Sequence, residues 1–241
     1  MLDIDLEAGS GRDTMARPMI PLRDTIPSNS IPLVTYLLIA VNAAVFLHQV
    51  NLGPAVEPFV YAYGLVPRRF GLGRSHALAP LVTSMFLHGG WMHLIGNMLY
   101  LNIFGDNVED RLGHLRFLAM YLLAGMVAGV AQVVINPSSS LPMVGASGAI
   151  AGVTGAYFLF FPRARVVVLV PIFVFFQIVE IPAVFFLLFW FVFQLLLGIG
   201  SLGMDAGGGV AFWAHIGGFL AGMVLGPMLA RRNEQRIRPA W

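Results

Sequence analysis

The sequence predicts an all-α polytopic membrane protein, a bundle of six transmembrane helices, and three observations carry that prediction. The 241-residue chain is 58% hydrophobic and only 11% charged, whereas a soluble domain carries about 25% charged residues. Its apolar runs approach or reach the roughly 17–25 residues that a helix needs to cross a bilayer core. All fourteen basic residues are arginine, gathered in the tails and short connections. They form no basic stripe interleaved with aromatics, so no nucleic-acid partner is expected. With no cysteine in the chain, disulfides, thiolate catalysis and cysteine-ligated metal are excluded.

Residues 1–28 read as a polar tail with early acids (Asp3, Asp5, Glu7), unlike a cleavable signal peptide. The first apolar segment, about Ile31 to Val50, is therefore expected to stay as an uncleaved signal anchor. In the region after it, Pro54, Pro58, Pro67 and Pro80 break apolar patches at Phe59–Leu65 and Ala77–Leu87. Those patches are too short to span and read as interfacial helices or turns. Segment two runs from about Trp91 to Phe104 or a turn further, ended by Asp106, Glu109, Asp110 and Arg111. Segment three covers about Leu115 to Ile135, before Pro137. Segment four opens near Val144 and stops before Pro162. From Val166 to Ile199 the only charge is Glu180. Pro182 divides this stretch into an interfacial part up to Glu180 and segment five, about Ile181 to Ile199. Segment six is about Val210 to Leu229. The membrane domain thus spans residues 29–229, and residues 230–241 form a basic tail.

Six spans place both termini on one side. That side would hold Arg12, Arg17, Arg23, Arg111, Arg116, Arg163, Arg165 and the four tail arginines, against Arg68, Arg69 and Arg74 opposite. The positive-inside rule makes both termini cytoplasmic. Segments two, four and six then enter from outside, and three polar islands come to one depth: His88 to Asn97, Gly145-Ala-Ser147-Gly148, and Ala214-His215-Ile-Gly217-Gly218. Polar groups at bilayer depth are costly and mark functional sites by default.

A serine hydroxyl needs a base to become a nucleophile, and His215 is the base on offer for Ser147. Gly148 and Gly152 in segment four and Gly218 and Gly222 in segment six are small-residue pairs that let helix backbones approach, so the serine can face the histidine. No carboxylate is available at this depth to orient His215, since Asp205 lies in an outer loop and Glu180 near the inner face. The reading is a Ser–His dyad with the imidazole held by packing. His93 and Asn97, four residues apart on one helix face, can donate hydrogen bonds to an oxyanion together with the Ser147 N–H. His88 is expected to support the loop or close the site. Plain alternatives stay open: a helix-capping serine, a satisfied buried histidine, a metal site from His88, His93 and His215, a non-catalytic membrane binding protein, or a transporter, although the inner halves of segments two, four and six offer little polar beyond Asn102, Thr154 and Tyr157.

In this order the motifs resemble the rhomboid family of intramembrane serine proteases. His88-xxxx-His93-xxx-Asn97 is similar to the family's segment-two signature, Gly145-Ala-Ser147-Gly148 to its nucleophile motif, and Ala214-His215-xx-Gly218-xxx-Gly222 to the element that supplies the base. The stretch from Asn102 to Gly113 is similar to a common bacterial rhomboid connection. The resemblance implies an integral protein of a bacterial inner membrane, with oxyanion-hole roles for His93 and Asn97. The substrates would be transmembrane proteins with helix-destabilising segments, cut near the outer membrane boundary, and no cofactor or metal would be required. Two departures stand out. Ala151 occupies the place where some rhomboids stack an aromatic ring on the histidine, leaving Phe212 or Trp213 to fix it, and the first loop lacks the Trp-Arg pair of some members. The Gly-rich stretch Gly203–Gly209 reads as a mobile cap, because glycines ease rearrangement.

Overall fold

The computed structural model describes residues 20–70, 78–172, 175–202 and 210–230. The expected cap at Gly203–Gly209 and the basic tail lie outside these residues. A strand, β1 (Ile20–Asp24), leads into helix α1 (Leu33–Asn51). Short helices α2 (Val56–Tyr63), α3 (Pro67–Phe70) and α4 (Ala79–Thr83) follow where the prolines broke the apolar pattern. Long helices α5 (Trp91–Leu112) and α6 (His114–Ile135) come next, then α7 (Ser147–Phe160), strands β2 (Arg165–Ile172) and β3 (Phe175–Pro182), and helices α8 (Ala183–Gly200) and α9 (Phe212–Leu229). Among the described residues four helices, α1, α6, α8 and α9, are long and apolar enough to cross a membrane. Helix α5 is long but charged in its last turns, and α7 has 14 residues.

At about 1.5 Å per residue, α7 is roughly 21 Å long against a hydrocarbon core near 30 Å. It is the axis of the bundle, with every residue from Gly148 to Tyr157 buried. The chain that leads into it is stitched to neighbouring backbone: Leu65 and Met143 exchange N–H···O bonds of 3.0 and 2.8 Å, and the Gly145 N–H donates to the Ser84 carbonyl at 2.9 Å. Irregular backbone is tolerated at depth where protein satisfies it in this way.

Segment two is longer than expected, because Asp106 to Arg111 continue α5 rather than end it. The reason is tertiary. Fully buried Glu109 caps α1 from another helix: its carboxylate accepts from the Val34 and Thr35 N–H groups at 2.9 and 2.8 Å and from Thr35 Oγ1 at 2.7 Å. Helix N-terminal N–H groups have no intrahelical acceptor and favour a negative partner. His114 donates to the same carboxylate at 2.5 Å, and Asp110 accepts from Asn29 and Ser30. Gly113, at φ 81°, then turns the chain directly into α6.

The bundle is all-helical, but a small antiparallel sheet is added where the sequence suggested an interfacial stretch. Its order is β1-β2-β3, with Ile20 opposite Leu169 and Arg165 opposite Pro182. The β-branched run Val166-Val167-Val168 suits a pleated surface, and its three side chains are buried. Part of the expected N-terminal tail is thereby ordered: Asp24 accepts from Tyr157 Oη at 2.6 Å and from Asn107 Nδ2 at 2.9 Å. The sheet sits at the C-terminal end of α7, opposite the end that bears Ser147.

Candidate active site

Two helices carry the centre of the site, and small residues decide how near they come. A Cβ built on Gly218 would lie 2.0 Å from the Gly148 carbonyl oxygen, and one on Gly222 would lie 1.8 Å from that of Gly152. Glycine's missing side chain thus lets α9 rest on the backbone of α7, as the paired spacing suggested. On the outer flank Ala124 and Ala128 of α6 fill the remaining space against Gly152 and Gly148.

That contact brings the serine to the histidine. Ser147 is the first residue of α7 and His215 the fourth of α9. Their Oγ and Nε2 atoms are 2.8 Å apart, within hydrogen-bond range. The second ring nitrogen is also engaged, with Nδ1 lying 2.8 Å from Oε1 of Gln194 on α8. Both nitrogens of His215 are therefore occupied by protein groups. The imidazole is held by more than packing, and sequence reasoning missed the residue because it looked for a carboxylate. The signal was there: Gln194 is the single amide in the otherwise apolar α8. The ring face is covered by Trp190, one turn before Gln194, with centroids 5.8 Å apart and planes at 35°. Phe212 and Trp213 instead pack around Gly198, where a Cβ would meet each at 3.4 Å.

The third island arrives from α5. Gly145, two residues before the serine, adopts φ +124°, a conformation that L side chains rarely take. A Cβ there would lie 2.7 Å from His93 Nε2 and 3.6 Å from Asn97 Nδ2, so both nitrogens converge over the backbone that leads into Ser147. The Gly89 N–H points at His93 Nδ1 from 3.4 Å, an arrangement that leaves Nε2 to carry the ring proton. Asn97 Nδ2 is buried with no hydrogen-bond partner among the described residues. Buried donors are usually paired, and this one lies over Gly145, two residues before Ser147. The Ser147 N–H, in the first turn of α7, has no intrahelical acceptor either.

His88 sits behind these groups. Gln49 of α1 clamps its backbone, accepting from its N–H at 3.0 Å and donating to its carbonyl at 3.2 Å. The His88 ring meets that of His93 edge-on at 5.2 Å. Among the described residues no group of three His, Cys, Asp or Glu side chains is placed to hold a metal ion. Thr154 and Tyr157, toward the C-terminal end of α7, are satisfied locally by the Ala151 carbonyl and by Asp24, and Asn102 is exposed on the outside of the bundle.

Comparison with known proteins agrees with this arrangement. The family model described as Rhomboid domain matches residues 75–232, more than half of the chain. RHOMBOID-like protein 5 of Arabidopsis thaliana is 30% identical over 183 residues, covering 76% of this chain and 53% of that protein. RHOMBOID-like protein 6, mitochondrial, of the same plant is 33% identical over 154 residues, 64% of this chain and 44% of the relative. Rhomboid protease GluP of Bacillus subtilis is 37% identical over 129 residues, 53% of this chain and 24% of that protein. The chain spans about half the length, or less, of these relatives. The matched region contains Ser147, His215, His93 and Asn97 on the helices that bring them together, and the chain belongs to the rhomboid family.

Proposed function

We propose that this protein is an intramembrane serine endopeptidase, with Ser147 as nucleophile, His215 as general base and acid, and His93, Asn97 and the Ser147 N–H as the oxyanion hole. The observation that carries the reading is the 2.8 Å contact between Ser147 Oγ and His215 Nε2. His215 Nε2 takes the serine proton as Oγ attacks the scissile carbonyl carbon, and the carbonyl oxygen becomes an oxyanion that accepts from the three donors. Collapse of the tetrahedral species breaks the C–N bond, and the leaving amine takes the proton from Nε2. Water then gives a proton to Nε2 and attacks the acyl-serine. Its collapse frees the new carboxyl group and returns the proton to Oγ. No step calls for a metal or cofactor.

The substrates would be membrane proteins whose helices unwind easily near the cut, because a peptide carbonyl inside an intact helix is not available to the serine. The chain would cross the membrane six times with both termini cytoplasmic, α5 and α7 being the two further spans. Arg23, Arg111, Arg116, Arg163 and Arg165, on or beside the sheet end of the bundle, support that orientation, which opens the serine toward the outside. As an integral protein of a bacterial inner membrane it would cut near the outer boundary.

The test is cleavage of a panel of single-span membrane proteins by the purified chain in liposomes. Wild type should cut at least one and react with a fluorophosphonate probe, and Ser147→Ala should do neither while keeping its thermal stability. Cleavage by Ser147→Ala would end the serine-protease reading. Orientation is read separately with single cysteines. Ser138→Cys and Ser201→Cys should react with an impermeant thiol reagent added to intact cells, whereas Arg163→Cys should react only after permeabilisation. Arg163 serves here because neighbouring Ala164 is buried.

A further inference from the structure

The histidine of a neutral Ser–His pair can serve as base in only one of its two tautomers. Neutral imidazole has one nitrogen that donates and one that accepts. If the proton sits on Nε2, the ring presents a donor to Ser147 and cannot take its proton. If it sits on Nδ1, Nε2 is free to accept. Something must therefore select the Nδ1–H form, and no carboxylate approaches His215 among the described residues.

We propose that Gln194 is the positioning residue that makes this selection, its carboxamide oxygen accepting the Nδ1–H of His215 and leaving Nε2 as the acceptor for Ser147. The proposal rests on the reading of Ser147 and His215 as nucleophile and base. Gln194 Oε1 and Ser147 Oγ lie at the same 2.8 Å from opposite nitrogens of one ring, so the three side chains form a continuous line of hydrogen bonds. Gln194 and His215 are both buried at 8% exposure, where water competes little for either bond. Trp190, four residues earlier on the same face of α8, lies over the imidazole. One apolar helix thus fixes both the edge and the face of the ring, a role that Ala151 on α7 is too small to fill.

An amide also suits the surroundings. An ionised carboxylate at the middle of a membrane helix is costly. The glutamine oxygen accepts the same N–H without carrying a charge into the apolar helix. In return it stabilises the imidazolium of the transition state less than a carboxylate would.

Three variants test the assignment in the full chain in liposomes, each with its thermal stability measured. Gln194→Met keeps the volume and removes the amide oxygen. It should lose about 10- to 1,000-fold in kcat with little change in KM, and 15N spectra of the His215 ring should move from the Nδ1–H to the Nε2–H form. Gln194→Glu restores an acceptor, so it should recover most of the kcat lost in Gln194→Met. Its acidic limb should move to higher pH, because a carboxylate stabilises the imidazolium. If Gln194 only packed, Gln194→Met would keep the wild-type kcat and Gln194→Glu would have no lost kcat to restore. Ser147→Ala in parallel separates the two readings. If it retains cleavage, the dyad itself fails. If it is inactive while Gln194→Met keeps the wild-type kcat and the Nδ1–H signal, the dyad stands and the role of Gln194 is overturned. If Gln194→Met misfolds, an Nε2–H form of the His215 ring in the 15N spectrum of wild type overturns it equally.

Discussion

Replacing Gly222 by alanine tests how far the chemistry depends on two helices touching through backbone. The added Cβ would lie 1.8 Å from the Gly152 carbonyl oxygen, where real Cβ atoms essentially never come within 3.0 Å. The neighbour is backbone rather than a flexible side chain, so α9 must move away from α7 by about 1 Å or more in a close-packed bundle. Gly218, three residues after His215, is held against Gly148 in the same way and passes the movement toward His215. The 2.8 Å separation of Ser147 and His215 then opens to roughly 3.5–4 Å, past the useful range of a hydrogen bond. A misplacement near 1 Å costs about 100-fold in rate, and overpacking costs about 1–3 kcal/mol of stability. Alanine's better helix propensity returns only about 0.5–1 kcal/mol, so the net sign is destabilising. Gly222→Ala should therefore lose about 100-fold in kcat in the liposome assay, with a transition lowered by several degrees. Gly96→Ala, in α5 with nothing within 4 Å of its Cβ, should keep kcat and raise the transition slightly through helix propensity alone. If Gly222→Ala kept activity within threefold and an unchanged transition, the backbone contact would not be what sets the dyad geometry.

Further outcomes follow from single residues. Asn97→Ala should lower kcat by about 10²–10³-fold, the effect of removing one oxyanion donor, while fluorophosphonate labelling of Ser147 persists at a reduced rate. Glu109→Ala should destabilise the protein by about 3–5 kcal/mol in a denaturant titration, since two α1 N–H groups and a threonine hydroxyl lose their acceptor. Burial raises the Asp24 carboxyl above its ordinary 3.8, partly opposed by the hydrogen bond from Tyr157. A carboxyl raised on folding contributes stability below its unfolded value and loses it as pH rises through the folded value. The stability of wild type relative to Asp24→Asn should accordingly fall as pH is raised from about 3.8, and a difference independent of pH would contradict this.

What the sequence revealed followed periods and depths. Helices α1, α6, α8 and α9 begin and end within about two residues of the apolar runs, because lipid requires both length and apolarity of a span. Ser147, His215, His93 and Asn97 were legible because each is polar where polarity is costly. What escaped depends on contacts between distant residues. Glu109 resembled the end of a helix because its partners, Val34 and Thr35, lie more than seventy residues away. Strands β1 and β2 pair across about twice that gap, and nothing near Ile20 announces a partner at Leu169. Gln194 escaped because the search was for a charge, whereas an acceptor that orients a ring need only present a lone pair.

The order in which these groups occur along the chain has a consequence for biosynthesis. Ser147 comes with α7, Gln194 with α8 and His215 only with α9, 68 residues after the serine. At about 5–20 residues per second of synthesis, several seconds separate the emergence of Ser147 from that of His215. A nascent chain with fewer helices in the membrane presents a serine hydroxyl with no base beside it. On the proposed reading of Ser147 and His215 as a catalytic pair, the chain would have no proteolytic capacity until α9 is in place. Docking of α9 against α7 would then be the step that arms the site.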